Sequence, residues 1–148
     1  GNLPQAEFHY RRALSLQPAS AGAHANLGLA LARSGRPKAA RYHYHQALKR
    51  NPELVEAHVN LANLLVRQGK ENRAIAHYQA ALAVAADLPE AHYNLGRLLL
   101  AQGALSRAGF HLGRARAVYP ENERYQRAWE RWQAMAGETG PSSRPPGG

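Results

Sequence analysis

Apolar positions in this chain fall in stripes at i, i+3, i+4 and i+7, separated by short polar breaks. His24, Leu27, Gly28 and Leu31 make one stripe, and Ala40, Tyr44, Ala47 and Leu48 make a second at similar spacing. Such spacing puts each set on one face of an α-helix. Between them Gly35 is the residue type that accepts the left-handed conformation ending a helix. Asn51-Pro52 stops the second helix, because the residue before a proline is pushed out of the helical region. The pattern predicts a helical hairpin.

The hairpin recurs. Segments AGAHANLGLALARSG, VEAHVNLANLLVRQG and PEAHYNLGRLLLAQG start at Ala21, Val55 and Pro89, each 34 residues after the last. One column holds Leu27, Leu61 and Leu95, the next Gly28, Ala62 and Gly96, and a third Gly35, Gly69 and Gly103. In the second helices Ala40, Ala74 and Ala108 align, as do Tyr44, Tyr78 and Leu112, and Ala47, Ala81 and Ala115. Small residues in these columns let two helices approach closely while large ones fill the gaps. Stepping back one period aligns Ala6, Tyr10, Ala13 and Pro18, so half a repeat precedes the first full one.

The predicted division is a half unit over 1–20, full units over 21–54, 55–88 and 89–122, a capping helix over 123–136, and a tail over 137–148. The cap carries Tyr125, Ala128, Trp129 and Trp132 on one side and charges on the other. The tail, GETGPSSRPPGG, has nothing apolar to bury and is expected to be disordered. Gly109, Gly113 and Arg116 stand where the other units have better helix formers or apolar residues. Each interior glycine costs about 1 kcal/mol relative to alanine, so this helix is expected to be the weakest. At the other end, Leu3 to Leu16 lacks a preceding partner. Its Tyr10 and Leu14 are expected to face water, which suggests a truncated N-terminus and predicts fraying or self-association there.

These columns resemble the tetratricopeptide family. Its order of a large residue, Leu-Gly, a large residue, Ala, an aromatic and Pro is met by His24, Leu27, Gly28, Leu31, Ala40, Tyr44 and Pro52, with histidine in place of the usual tryptophan. The resemblance covers residues 1 to about 136. It implies an all-α fold, a right-handed α-solenoid of antiparallel helix pairs, and a role as a protein–protein interaction scaffold rather than an enzyme. In this family the first helices line a concave groove that takes a protein or peptide.

The groove positions then read Gly22, Asn26, Leu29 and Arg33; Glu56, Asn60, Asn63 and Arg67; Glu90, Asn94, Arg97 and Ala101. Asn26, Asn60 and Asn94 stand out, since asparagine is a mediocre helix former yet recurs at one interior place. Its amide offers a donor and an acceptor, the complement of a peptide unit. With neighbouring helices about 10 Å apart and an extended chain rising about 3.3 Å per residue, each amide would meet roughly every third residue. This is similar to the asparagine ladder in the repeats of O-linked N-acetylglucosamine transferase. The resemblance implies peptide contacts from Asn26, Asn60 and Asn94; Asn63 on the same face is a further candidate, and Arg33, Arg67 and Arg97 are expected to attract acidic segments. The alternative is a substrate-recognition arm of a larger enzyme, such as a glycosyltransferase, whose catalytic domain lies outside this sequence. A clamp for a C-terminal carboxylate is disfavoured, because Glu56 and Glu90 would repel it.

Charge changes the picture only in part. Nineteen Lys and Arg against ten Asp and Glu give +9, which favours acidic partners. Basic clusters at Arg11-Arg12, Arg36-Lys38-Arg41, Lys49-Arg50 and Arg114-Arg116 lie on turns and second helices, with no nucleic-acid motif beside them, so nucleic-acid binding is disfavoured. The absence of cysteine removes disulfides and thiolate metal sites. No long apolar run predicts a membrane span, and a cytoplasmic setting is favoured. Of the eight histidines, His24, His58 and His92 share one column and His9, His43, His77 and His111 another, while His45 is solitary. Members of one column sit a repeat apart, too far for a shared ion at about 2.1 Å, so packing is expected rather than metal. No cofactor, nucleophile or paired acids are apparent.

Overall fold

The computed structural model describes residues 2–138, and among them the chain forms eight α-helices. It divides into two compact units, one ending at Asp87 and the other beginning at Leu88. In the first, α1 (Leu3–Leu16), α2 (Ala21–Arg33), α3 (Pro37–Arg50), α4 (Val55–Arg67) and α5 (Glu71–Val84) pack each on the next, and α2 also touches α4. In the second, α6 (Pro89–Ala101), α7 (Leu105–Val118) and α8 (Glu123–Glu138) pack as a trio.

Three identical turns make the hairpins. Gly35, Gly69 and Gly103 take φ of 73, 69 and 72°. In the first turn the Arg36 amide donates to the Leu31 carbonyl at 2.9 Å and the Gly35 amide to Ala32 at 3.3 Å. The same pair of bonds recurs from Lys70 to Leu65 and from Ala104 to Leu99, each at 2.9 Å. They satisfy carbonyls that the helix end would otherwise leave open.

Each hairpin closes over its predicted stripe. Leu27, Leu31 and Tyr44 are buried, as are Leu61, Leu65 and Tyr78, and then Leu95, Leu99 and Leu112. Close approach is required at Gly28, where a Cβ would lie 2.7 Å from the Tyr44 ring, and at Gly96, where it would lie 2.8 Å from Leu112. Burying each such leucine stabilises the hairpin by about 1.5–3 kcal/mol relative to exposure.

Two expectations change. Tyr10 and Leu14 are half-buried, with α1 packed on α2, and it is Phe8 and Leu16 that face water. Glu7 also ties α1 down by accepting from Arg36 and Arg11, and the Arg36 guanidinium holds its carboxyl below the usual range. Gly109 and Gly113 are not merely weak points of α7. A Cβ on Gly109 would lie 2.4 Å from the Trp132 ring, and one on Gly113 3.3 Å from Trp129. The glycines are the seat on which α8 packs. Trp132 fixes that seat by donating Nε1–H to the Leu105 carbonyl at 2.8 Å and stacking on Trp129 with centroids 4.4 Å apart. Helix α8 runs through Gly137 to Glu138, and the tail beyond it, expected to be disordered, lies outside the described residues.

Candidate peptide-binding face

Asn26 and Asn60 occupy one register on α2 and α4, neighbouring first helices of the first unit. Asn26 is exposed and Asn60 half-exposed, and among the described residues neither amide makes a hydrogen bond. Asn94 holds the same register on α6 and is half-exposed. Asn63 differs from these three. Its Oδ1 accepts from the Tyr78 hydroxyl, whose residue is 1% exposed, so it satisfies a buried group that would otherwise be costly.

Arg33 and Arg67 are exposed in the last turns of α2 and α4, where a cation complements the helix dipole. Both act electrostatically on the Tyr44 hydroxyl. Burial pushes that phenol up to about 12, and the two guanidinium charges, Arg67 first, oppose the shift. Arg97 on α6 is exposed, its guanidinium 5.4 Å from the Tyr93 ring centre.

Between α6 and α8 the second unit holds a cavity of about 480 Å³ lined by Tyr93, Arg97, Arg124, Arg127, Ala128 and Arg131, among others. Arg124 also sits over Tyr93, at 4.8 Å, and reaches Glu90 at 3.3 Å. Tyr125 donates to the same carboxylate at 3.1 Å, and burial pushes its phenol up to about 12. Sequence reading missed this cluster. The signal was present one period on: Glu90, Tyr93, Asn94 and Arg97 become Arg124, Arg127, Ala128 and Arg131. The capping helix carries alanine at the amide position and guanidinium groups around it.

The histidine columns meet, which column-by-column reasoning did not foresee. Nδ1 atoms face each other at 2.9 Å in His24–His43, 2.9 Å in His58–His77 and 2.8 Å in His92–His111. Nε2 of His24 and His58 points at the Pro18 and Pro52 carbonyls, at 3.3 and 2.8 Å. Those nitrogens must donate, so the Nδ1 of His24 and His58 accepts and that of His43 and His77 donates. One proton shared by two neutral rings holds each of these pairs. Burial, and then the facing ring, pulls His77 and His111 down to about 4. Among the described residues no group of three or more metal-ligating side chains gathers, and no helix is long and apolar enough to cross a membrane.

Hairpins of one design, repeated with one register, define a helical repeat protein. The family models agree on which: a tetratricopeptide repeat matches residues 21–54 and a TPR repeat residues 62–103. The chain belongs to the tetratricopeptide-repeat family. Its fold is all-α, of the TPR α-solenoid class. Among solved structures, that of MamA matches with a TM-score of 0.80 at 20% identity, over 93% of this chain and 75% of MamA. A tetratricopeptide repeat protein from Parabacteroides merdae matches with 0.80 at 23%, over 93% of this chain, which spans 55% of that protein. YrrB, described as a TPR protein with an unusual peptide-binding site, matches with 0.78 at 21%, over 93% of this chain and 71% of YrrB. No curated protein matches the sequence.

Proposed function

We propose that the first-helix face of the first unit binds an extended, acidic peptide segment, with Asn26 and Asn60 bonding its backbone and Arg33 and Arg67 attracting its carboxylates; Asn94 and Arg97 present the same groups on α6 of the second unit. One observation carries the reading. The Asn26 and Asn60 amides stand in register on adjacent helices with no hydrogen bond among the described residues, at places where alanine would make a better helix. A peptide backbone offers the donor and acceptor that each amide lacks. The resemblance to the glycosyltransferase ladder and the peptide site described for YrrB support the same reading. The alternative is a substrate-recognition arm of a larger enzyme, which the sequence flanking this chain in its gene would separate from a free-standing scaffold.

The test is a titration with a capped peptide of alternating glutamate and alanine, followed through the side-chain amide signals of the asparagines. Signals of Asn26 and Asn60 should move together with saturation. Movement confined to residues of α3 and α5 would sink the assignment.

A further inference from the structure

The cavity between α6 and α8 is a site of different chemistry from the asparagine register. Four guanidinium groups, Arg97, Arg124, Arg127 and Arg131, line it. Two carboxylates answer them: Glu90 is held by Arg124 and Tyr125, and Glu123 takes Arg127 at 2.9 Å. Arg97 and Arg131 have no ion-pair partner among the described residues, which leaves two positive charges uncompensated. Arg97 and Arg124 are both held against one tyrosine ring, so two like charges are kept close. Ala128 adds a small side chain to the lining.

We propose that this cavity binds the phosphoryl group of a phosphorylated peptide side chain. A phosphoserine or phosphothreonine carries about −1.5 to −2 at neutral pH and presents three acceptor oxygens, which matches two spare guanidinium charges with forked donors. A single carboxylate would leave one of them unanswered. Tyr93 is only 7% exposed, so it gives no platform on which a base could stack, and single-stranded nucleic acid is the poorer fit. The proposal takes only its carrier, a peptide, from the reading above.

The full chain is titrated by calorimetry with a capped peptide of phosphoserine flanked by glutamates and alanines, its serine counterpart, and oligothymidylate. The phosphopeptide should bind at least about tenfold tighter than the serine peptide, as charge-assisted bidentate bonds imply. R97Q/R131Q should erase that advantage, and R131Q alone, at an exposed residue, should remove part of it with helicity intact. N26A/N60A, which lies in the other unit, should leave the phosphopeptide's advantage unchanged, which separates failure of this site from failure of the asparagine face. Equal affinity for the two peptides, or an advantage that survives R97Q/R131Q, would overturn the proposal. So would oligothymidylate binding more tightly than the phosphopeptide.

Discussion

Substituting Gly109 by alanine sets helix propensity against packing. In a free helix the change would stabilise by about 1 kcal/mol. Here the new Cβ would lie 2.4 and 2.5 Å from two atoms of the Trp132 ring, closer than carbon atoms can sit. That ring cannot swing aside cheaply, being bonded to the Leu105 carbonyl at 2.8 Å and stacked on Trp129. Overpacking of this kind costs about 1–3 kcal/mol, and losing the indole bond about 1 more. The balance is a destabilisation of about 1–3 kcal/mol, concentrated where α8 meets α7. Both tryptophans of the chain are on α8, so fluorescence during urea unfolding reports this contact while circular dichroism reports all the helices. G109A should lower the fluorescence midpoint more than the dichroism midpoint. Gly113→Ala is the control, because its Cβ would meet Trp129 at 3.3 Å and a shift of tenths of an ångström would relieve it. A G109A protein as stable as the parent, or more so, would refute the reasoning.

Acid should loosen the hairpins. His77 and His111 titrate near 4 in the fold but near 6.5 when unfolded, so their contribution is complete above about 6.5 and is lost as pH falls from there toward 4. Thermal melts should show Tm falling between pH 7 and 5, and a flat profile would mean the paired rings are open to solvent. Asn63→Ala should act on stability rather than binding, costing about 0.5–1.5 kcal/mol by removing the acceptor of the Tyr78 hydroxyl, as urea unfolding would show. An N63A protein that unfolds like the parent would remove Asn63 from the core's accounts.

The repeat period made the fold legible, because a stripe at helical spacing and a glycine every 34 residues are one-dimensional signals of helix and turn. Leu27, Gly28 and Tyr44 could therefore be placed before any coordinates. Contacts between columns were not legible in the same way. His24 and His43 lie 19 residues apart on different helices, and only the crossing of α2 and α3 brings their Nδ1 atoms together. Gly109 reads as a helix defect until Trp132, from the next helix, is seen to fill the space above it. Arg131 was hidden for another reason. It falls one period after Arg97, but the tryptophans dominate the pattern of the capping helix, and the other face carries charges of both signs.

The most direct measurement compares the parent chain with N26A/N60A for affinity toward one acidic peptide across a salt series. Each neutral amide bond lost should cost about 1 kcal/mol at every salt concentration, since such bonds are barely screened. R33Q/R67Q should lose affinity mainly at low salt, where the Debye length exceeds about 10 Å. Helicity should persist in both, because Asn26 and Asn60 lie off the buried stripes and the two arginines are exposed. An N26A/N60A protein that binds as tightly as the parent would contradict the account and remove the asparagines from the mechanism.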